Sequence, residues 1–394
     1  MTPRPPSPID VIAEHFSADL AELNPLEATF AGLPGHDHQL GDYSPDGLAQ
    51  LAALHRQTLQ DLAAVSPVDE IDVVTLAAMR DRLGIAVELY EADSWHADLN
   101  VIASPVQTLR EVFDVMPTAS TEDWANIASR LRLIPQSLAG YRASLGAAAK
   151  RGRVSARRQV EECIAQALDL ADPRSSFFTG LAAQGADTEG VGEGLSRDLA
   201  IAAGQASAAY NELADFLSSE LLASAPEEDA VGPAAYQLAS RNFVGADLDL
   251  EEAYTWGLSE LARLTQERQV VIEQLAGDDA TIDDAIEALA RDPRQNLDGV
   301  DALQQWMQET SDAALDALDG THFDIPAPLR TLECRIAPTD SGAIYYTGPS
   351  EDFSRPGRMW WAVPAGVTTF STWREKTTVY HEGVPGHHLQ IGQS

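Results

Sequence analysis

Near the end of the chain runs Val379-Tyr-His-Glu-Gly-Val-Pro-Gly-His-His-Leu-Gln390. A histidine followed directly by a glutamate is the pairing that metal-dependent hydrolases use: the imidazole holds an ion and the neighbouring carboxylate takes a proton from the attacking water. In the familiar His-Glu-x-x-His arrangement the second imidazole stands one helical turn on, about 6 Å along the axis, so both reach one ion. Here that position is Pro385, which has no donor, while His387 and His388 follow His381 by six and seven residues. On a straight helix the sixth position lies about 240° round, and the seventh returns to the same face about 10 Å away. Pro385 removes a backbone donor and Gly386 tolerates unusual dihedral angles, so a break between them would let His387 fold back beside His381.

Something must carry that motif. Leu332–Ile336, 343–347 and 358–363 are short β-branched and aromatic runs separated by Pro, Gly, Ser and Asp, and read as strands of a small antiparallel sheet. Thr372-Trp373 then opens a helix that runs into the motif. From about residue 8 to residue 320 the pattern is helical throughout. Asp249 and Glu252 signal a helix start, and Tyr254, Leu258, Leu261, Leu264, Val271 and Leu275 follow at helical spacing until Gly277 stops it. Thr281 and Asp284 open another helix that ends at Asp292-Pro293, and Leu76, Met79, Leu83, Val87 and Tyr90 mark a third. These stripes are expected to be core. The architecture expected is therefore mainly α: a large multi-helix body, then a small antiparallel β-sheet, then a His-Glu-bearing helix. The glycine-rich span 180–194 and the change of texture near Pro326 suggest two helical lobes, 1–180 and 195–325, and a terminal region, 326–394, holding the sheet and the motif helix.

The motif carries a resemblance. His381-Glu-Gly-Val-Pro-Gly-His-His388 resembles the signature of the bacterial DUF885 family, large and mostly helical proteins regarded as zinc metallopeptidases related to the gluzincins. Asn24-Pro-Leu-Glu-Ala-Thr29, Tyr345-Tyr346, Pro349-Ser350 and Arg355-Pro-Gly357 are similar to further stretches of that family. The resemblance implies a gluzincin-like site in which His381 and His387 bind Zn²⁺ and Glu382 is the general base. It leaves His388 as an alternative ligand or a donor to the oxyanion, and implies substrate contacts for Tyr345, Tyr346 and Arg355. Family members continue through a Glu-Gly-Trp-Ala-like helix whose Glu would be the third protein ligand. This sequence stops at Ser394, so a C-terminally truncated and inactive chain is one expectation. Glu375 and Asp352 are the upstream acids that could substitute.

Composition narrows the classes. With 61 acidic and 26 basic residues the net charge is -35, which excludes the clustered Lys and Arg that phosphate binding needs, so no nucleic-acid partner is expected. No apolar run approaches the length of a membrane span, and the N-terminus lacks a secretory core, so a soluble cytoplasmic protein acting on a peptide or small amide is expected. Cys163 and Cys334 read as small buried hydrophobes. His36-Asp37-His38 reads as a solvated loop, His96 as a packed histidine, and Ser341-Gly342 as too isolated for a nucleophile elbow. Two other readings of the motif remain: a non-catalytic helical binding or scaffold protein, and a non-haem iron protein with two histidines and a carboxylate. Oligomeric state is not legible.

Overall fold

The computed structural model describes residues 4–172, 176–338 and 344–393. Ala343 and Ser341-Gly342 therefore lie outside the described residues. The chain divides into two compact units, Met1–Asp247 and Leu248–Ser394.

The first unit is helical: α1 (Pro8–Leu23), α2 (Pro25–Ala31), α3 (Pro45–Ala63), α4 (Glu70–Glu91), α5 (Pro105–Val115), α6 (Thr121–Lys150), α7 (Arg157–Ala171), α8 (Phe177–Asp187), α9 (Glu193–Phe216) and α10 (Pro233–Val244). Their starts follow from capping chemistry. Ser7 with Asp10 and Ser120 with Asp123 form reciprocal capping boxes, and the Asp69 side chain caps α4. The core lies mainly between α6, which contributes Trp124, Ile127, Leu131, Ile134, Leu138 and Tyr141, and α9, which contributes Leu199, Ala202, Ala206, Tyr210 and Leu213. Small alanines on α9 let the two helices approach. Leu76 and Leu83 of α4 are buried as expected, as is Cys163. The glycine-rich span 180–194, read from sequence as a connector between lobes, lies inside this unit as the end of α8, a turn and the start of α9.

The second unit contains α11 (Leu250–Ala276), α12 (Ile282–Arg291), β1 (Asn296–Asp298), α13 (Val300–Leu318), β2 (Leu332–Ile336), β3 (Tyr345–Thr347), β4 (Gly357–Trp361), β5 (Thr369–Ser371), α14 (Thr372–Glu382) and α15 (His387–Gln393). Asp249 caps α11, and Thr281 with Asp284 boxes α12, where the sequence signals stood. β3 pairs antiparallel with β4 as expected, β1 and β5, which the sequence reading did not mark as strands, also pair antiparallel, and β2 runs parallel to β4 in a sheet of order β2-β4-β3. Glutamines of α13 satisfy the other edge of β2: Gln308 donates to the Leu332 carbonyl and accepts from the Cys334 N–H, and Gln304 donates to the Cys334 carbonyl. The core gathers Leu303, Met307, Leu329, Leu332, Met359, Trp361, Phe370, Val379, Val384 and Leu389, so both motif helices are anchored in it.

One expectation is corrected. The α11 stripe of Tyr254, Leu258, Leu261, Leu264, Val271 and Leu275 is exposed, and Ile272 is the buried residue of that helix. Periodicity fixes the helix, but burial needs a facing surface, and α12 is too short to cover 27 residues.

Candidate metal centre

β5 passes directly into α14, and Val379, fully buried, pins the helix one turn before its end. The helix stops at Glu382, and the break falls at Gly383, two residues earlier than Pro385 suggested. Gly383 still closes the last turn by donating to the Val379 carbonyl, and the Val384–Pro385 peptide is cis. The chain then folds back so tightly that the Gly386 N–H donates to the Tyr380 carbonyl at 3.0 Å. A Cβ on Gly386 would lie 1.9 Å from the His381 carbonyl oxygen. Glycine is required there for the closeness of two backbone segments and not for its range of dihedral angles.

This fold-back does what a helical turn does in the ordinary motif. The imidazoles of His381 and His387 meet edge to face with centroids 4.7 Å apart, and one donor atom from each of His381, Glu382 and His387 lies within 4.8 Å of the others. Glu382 Oε2 is 3.9 Å from His387 Nε2, too long for a hydrogen bond. His381 is exposed, His387 half-buried and Glu382 buried, so the cluster faces solvent on the His381 side and protein on the glutamate side. Burial pushes the Glu382 carboxyl above its ordinary value, and the two nearby imidazoles only partly counter it. The two imidazoles suit Zn²⁺ in donor type, and the Glu382 carboxylate beside them stands where a base to ion-bound water would; the third protein ligand that catalytic zinc ordinarily has is not one of these three residues. Among the described residues no other such group of three occurs, and this one includes neither Glu375 nor Asp352. Asp352 is committed elsewhere, accepting from the Ser350 and Ser354 hydroxyls and the Ser354 N–H, which pull its carboxyl down to about 2.

His388 stands apart from the cluster. It is fully buried, its Nε2 lies 2.8 Å from the Leu329 carbonyl oxygen, and its Nδ1 lies 2.9 Å from the Tyr346 hydroxyl. Both ring nitrogens are thus engaged. Strand alternation sends Tyr345 to the opposite sheet face from Tyr346, where it stacks on Trp360 at 6.0 Å. Tyr346 instead lies against His387, rings 6.4 Å apart and 23° from parallel. Arg355 sits in the loop between β3 and β4, its N–H donating to the Ser350 hydroxyl. Its charge partly offsets the burial that raises the Tyr346 phenol. Sequence reasoning missed the Leu329 carbonyl, which carries no side-chain signal, and gave Gly357 no role of its own.

The remaining candidates lie away from this cluster. His36-Asp37-His38 lies in a loop tied down through Asp37, which accepts from Thr29. His96 is buried beside Tyr90.

A mainly helical fold ending in a His-Glu cluster on a broken helix defines the class of protein. The family model described as bacterial protein of unknown function, DUF885, matches residues 25–394, and the chain belongs to that family. Among solved structures, one described as a "putative lipoprotein" from Colwellia psychrerythraea superposes with a TM-score of 0.79 at 18% identity, covering 98% of this chain and 73% of that one. A "putative lipoprotein of unknown function" from Shewanella oneidensis gives 0.61 at 16%, covering 98% and 72%. At such identities these likenesses show the fold. Comparison with curated proteins gives no match. Among the described residues no helix is long and apolar enough to cross a membrane.

Proposed function

We propose that this protein is a zinc-dependent hydrolase of peptide or amide bonds, in which His381 and His387 hold the ion and Glu382 is the general base. The observation that carries this reading is the convergence of the three donor groups across a break that separates them from any ordinary helical spacing. A bound zinc ion would supply Lewis-acid polarisation of the scissile carbonyl and a lowered pKa for water. Glu382, adjacent to His381 and raised in proton affinity by burial, would take the proton from the attacking water and return it to the leaving amine. The exposed His381 side leaves room for a substrate to approach, and the buried glutamate side excludes bulk water.

Elemental analysis of untagged protein tests the ion, with His381→Ala alongside. About one zinc per chain, lost in the variant, is expected. Peptide hydrolysis by the unaltered protein and its loss in Glu382→Gln test the chemistry. Iron in place of zinc would move the site to two-histidine, one-carboxylate iron chemistry. No metal in the unaltered protein would overturn the reading.

A further inference from the structure

His387 and His388 are adjacent in sequence yet have opposite surroundings. Neither imidazole of the His381–His387 pair makes a hydrogen bond among the described residues, whereas both nitrogens of His388 are taken. A carbonyl oxygen can only accept, so the contact with Leu329 puts the His388 proton on Nε2. In the neutral imidazole Nδ1 is then the acceptor, and the Tyr346 O–H donates to it. The phenol proton is therefore directed into the protein, away from the cluster. The same tyrosine turns its ring face toward His387.

Gly357, the first residue of β4, explains why the arrangement is possible. A Cβ at that position would stand 2.1 Å from the Tyr346 hydroxyl and 2.7 Å from His388 Nδ1, in the path of the hydrogen bond itself. The backbone at Gly357 has no positive φ to call for glycine. Its lack of a side chain is accounted for by the contact it leaves open.

We infer that the Leu329 carbonyl, His388 and Tyr346 form a bracket that positions the His387 imidazole for the ion, and that Gly357 is the clearance through which the bracket closes. This rests on the proposed ion site and assigns Tyr346 and His388 as positioning residues, in place of a substrate contact and of an alternative ligand or oxyanion donor. Groups that fix the orientation of a ligand imidazole commonly govern ion affinity nearly as strongly as the ligands. Here the fixing group is an aromatic ring held at its hydroxyl by a buried histidine of defined tautomer.

Tyr346→Phe keeps the ring and removes the donated proton, while Gly357→Ala keeps both partners and blocks the path between them. Zinc affinity is measured by competition with a chromophoric chelator, and the visible spectrum of the cobalt-loaded protein reports ligand geometry. Each variant is expected to bind zinc roughly tenfold more weakly and to shift the cobalt spectrum. If Gly357→Ala does not fold, Tyr346→Phe decides alone. Zinc affinity and cobalt spectrum unchanged in a folded variant, even with a lowered unfolding temperature, would overturn the bracket while the ion site stands. Failure of the unaltered protein to bind either ion would overturn both the site and the bracket.

Discussion

Asp72, in the first turn of α4, and Glu382, the last residue of α14, are both withdrawn from solvent, yet their surroundings move their proton affinities in opposite directions. Burial alone would raise Asp72, but the Val68 N–H, the Ser7 hydroxyl and the Arg4 guanidinium all donate to it and together bring its carboxyl below the ordinary value. Among the described residues Glu382 has no comparable donors. The His387 imidazole lies 3.9 Å from its carboxylate, beyond hydrogen-bond reach, and burial raises its carboxyl. In the first unit a buried carboxylate is saturated and ties α1 to α4; in the second it is left with proton-accepting capacity. The difference separates a group that holds a fold together from one available for chemistry.

The contrast is sharpest in turnover. Glu382→Gln is expected to lower the rate of peptide hydrolysis by roughly 10²- to 10⁴-fold with ion content retained, while Asp72→Asn leaves turnover of the folded protein unchanged. Steady-state kinetics on both variants, normalised to ion content, would erase the distinction if the two lost activity alike. Next in size is Gly386→Ala, which must separate backbone segments that the fold-back holds together. It should cost about 1–3 kcal/mol in urea unfolding and weaken ion binding. Normal ion affinity there would show that the turn does not set the spacing of His381 and His387.

A smaller effect distinguishes the carboxylates by pH. Because the folded-state pKa of Asp72 is depressed, its stabilisation is present above the ordinary value of 3.8 and is lost as pH falls through the folded value. Asp72→Asn should therefore lower the urea midpoint clearly at pH 7 and much less at low pH. Glu382→Gln should not lower it at pH 7, since a raised carboxylate contributes stability at low pH and loses it as pH rises through the folded value. Equal penalties for Asp72→Asn at both pH values would contradict its ionised bonding. Smallest of all is Leu261→Ala on α11, at a side chain 62% exposed, which should change stability by no more than about 0.5 kcal/mol. A loss of several times that would mean the helix is covered in solution.

Much of this was legible in the residues because it is local. Thr281 and Asp284 announced α12, Asp249 announced α11, and Leu332–Ile336 was readable as a strand among the short β-branched and aromatic runs bounded by turn residues. The His-Glu pair pointed to a metal site by residue type alone, and the structure places His381, Glu382 and His387 together. What escaped depends on neighbours far along the chain. The exposure of the α11 stripe is decided by what faces it, and the parallel pairing of β2 with β4 by a connection that runs through β3. The break at Gly383, before Pro385, follows from Val384 being drawn into the second unit's core. His388 looked equivalent to His387 until the Leu329 carbonyl, 59 residues away, was seen to claim it.

The glycines at 357 and 386 have a consequence for how this protein can evolve. Each occupies a position where a single added carbon would strike the His381 carbonyl oxygen or the Tyr346 hydroxyl. Every other amino acid carries that carbon, so neither position offers a graded series of substitutions along which the site could drift. A lineage that loses either glycine loses the arrangement in one mutational step, and regaining it requires reversion or a rebuilt turn.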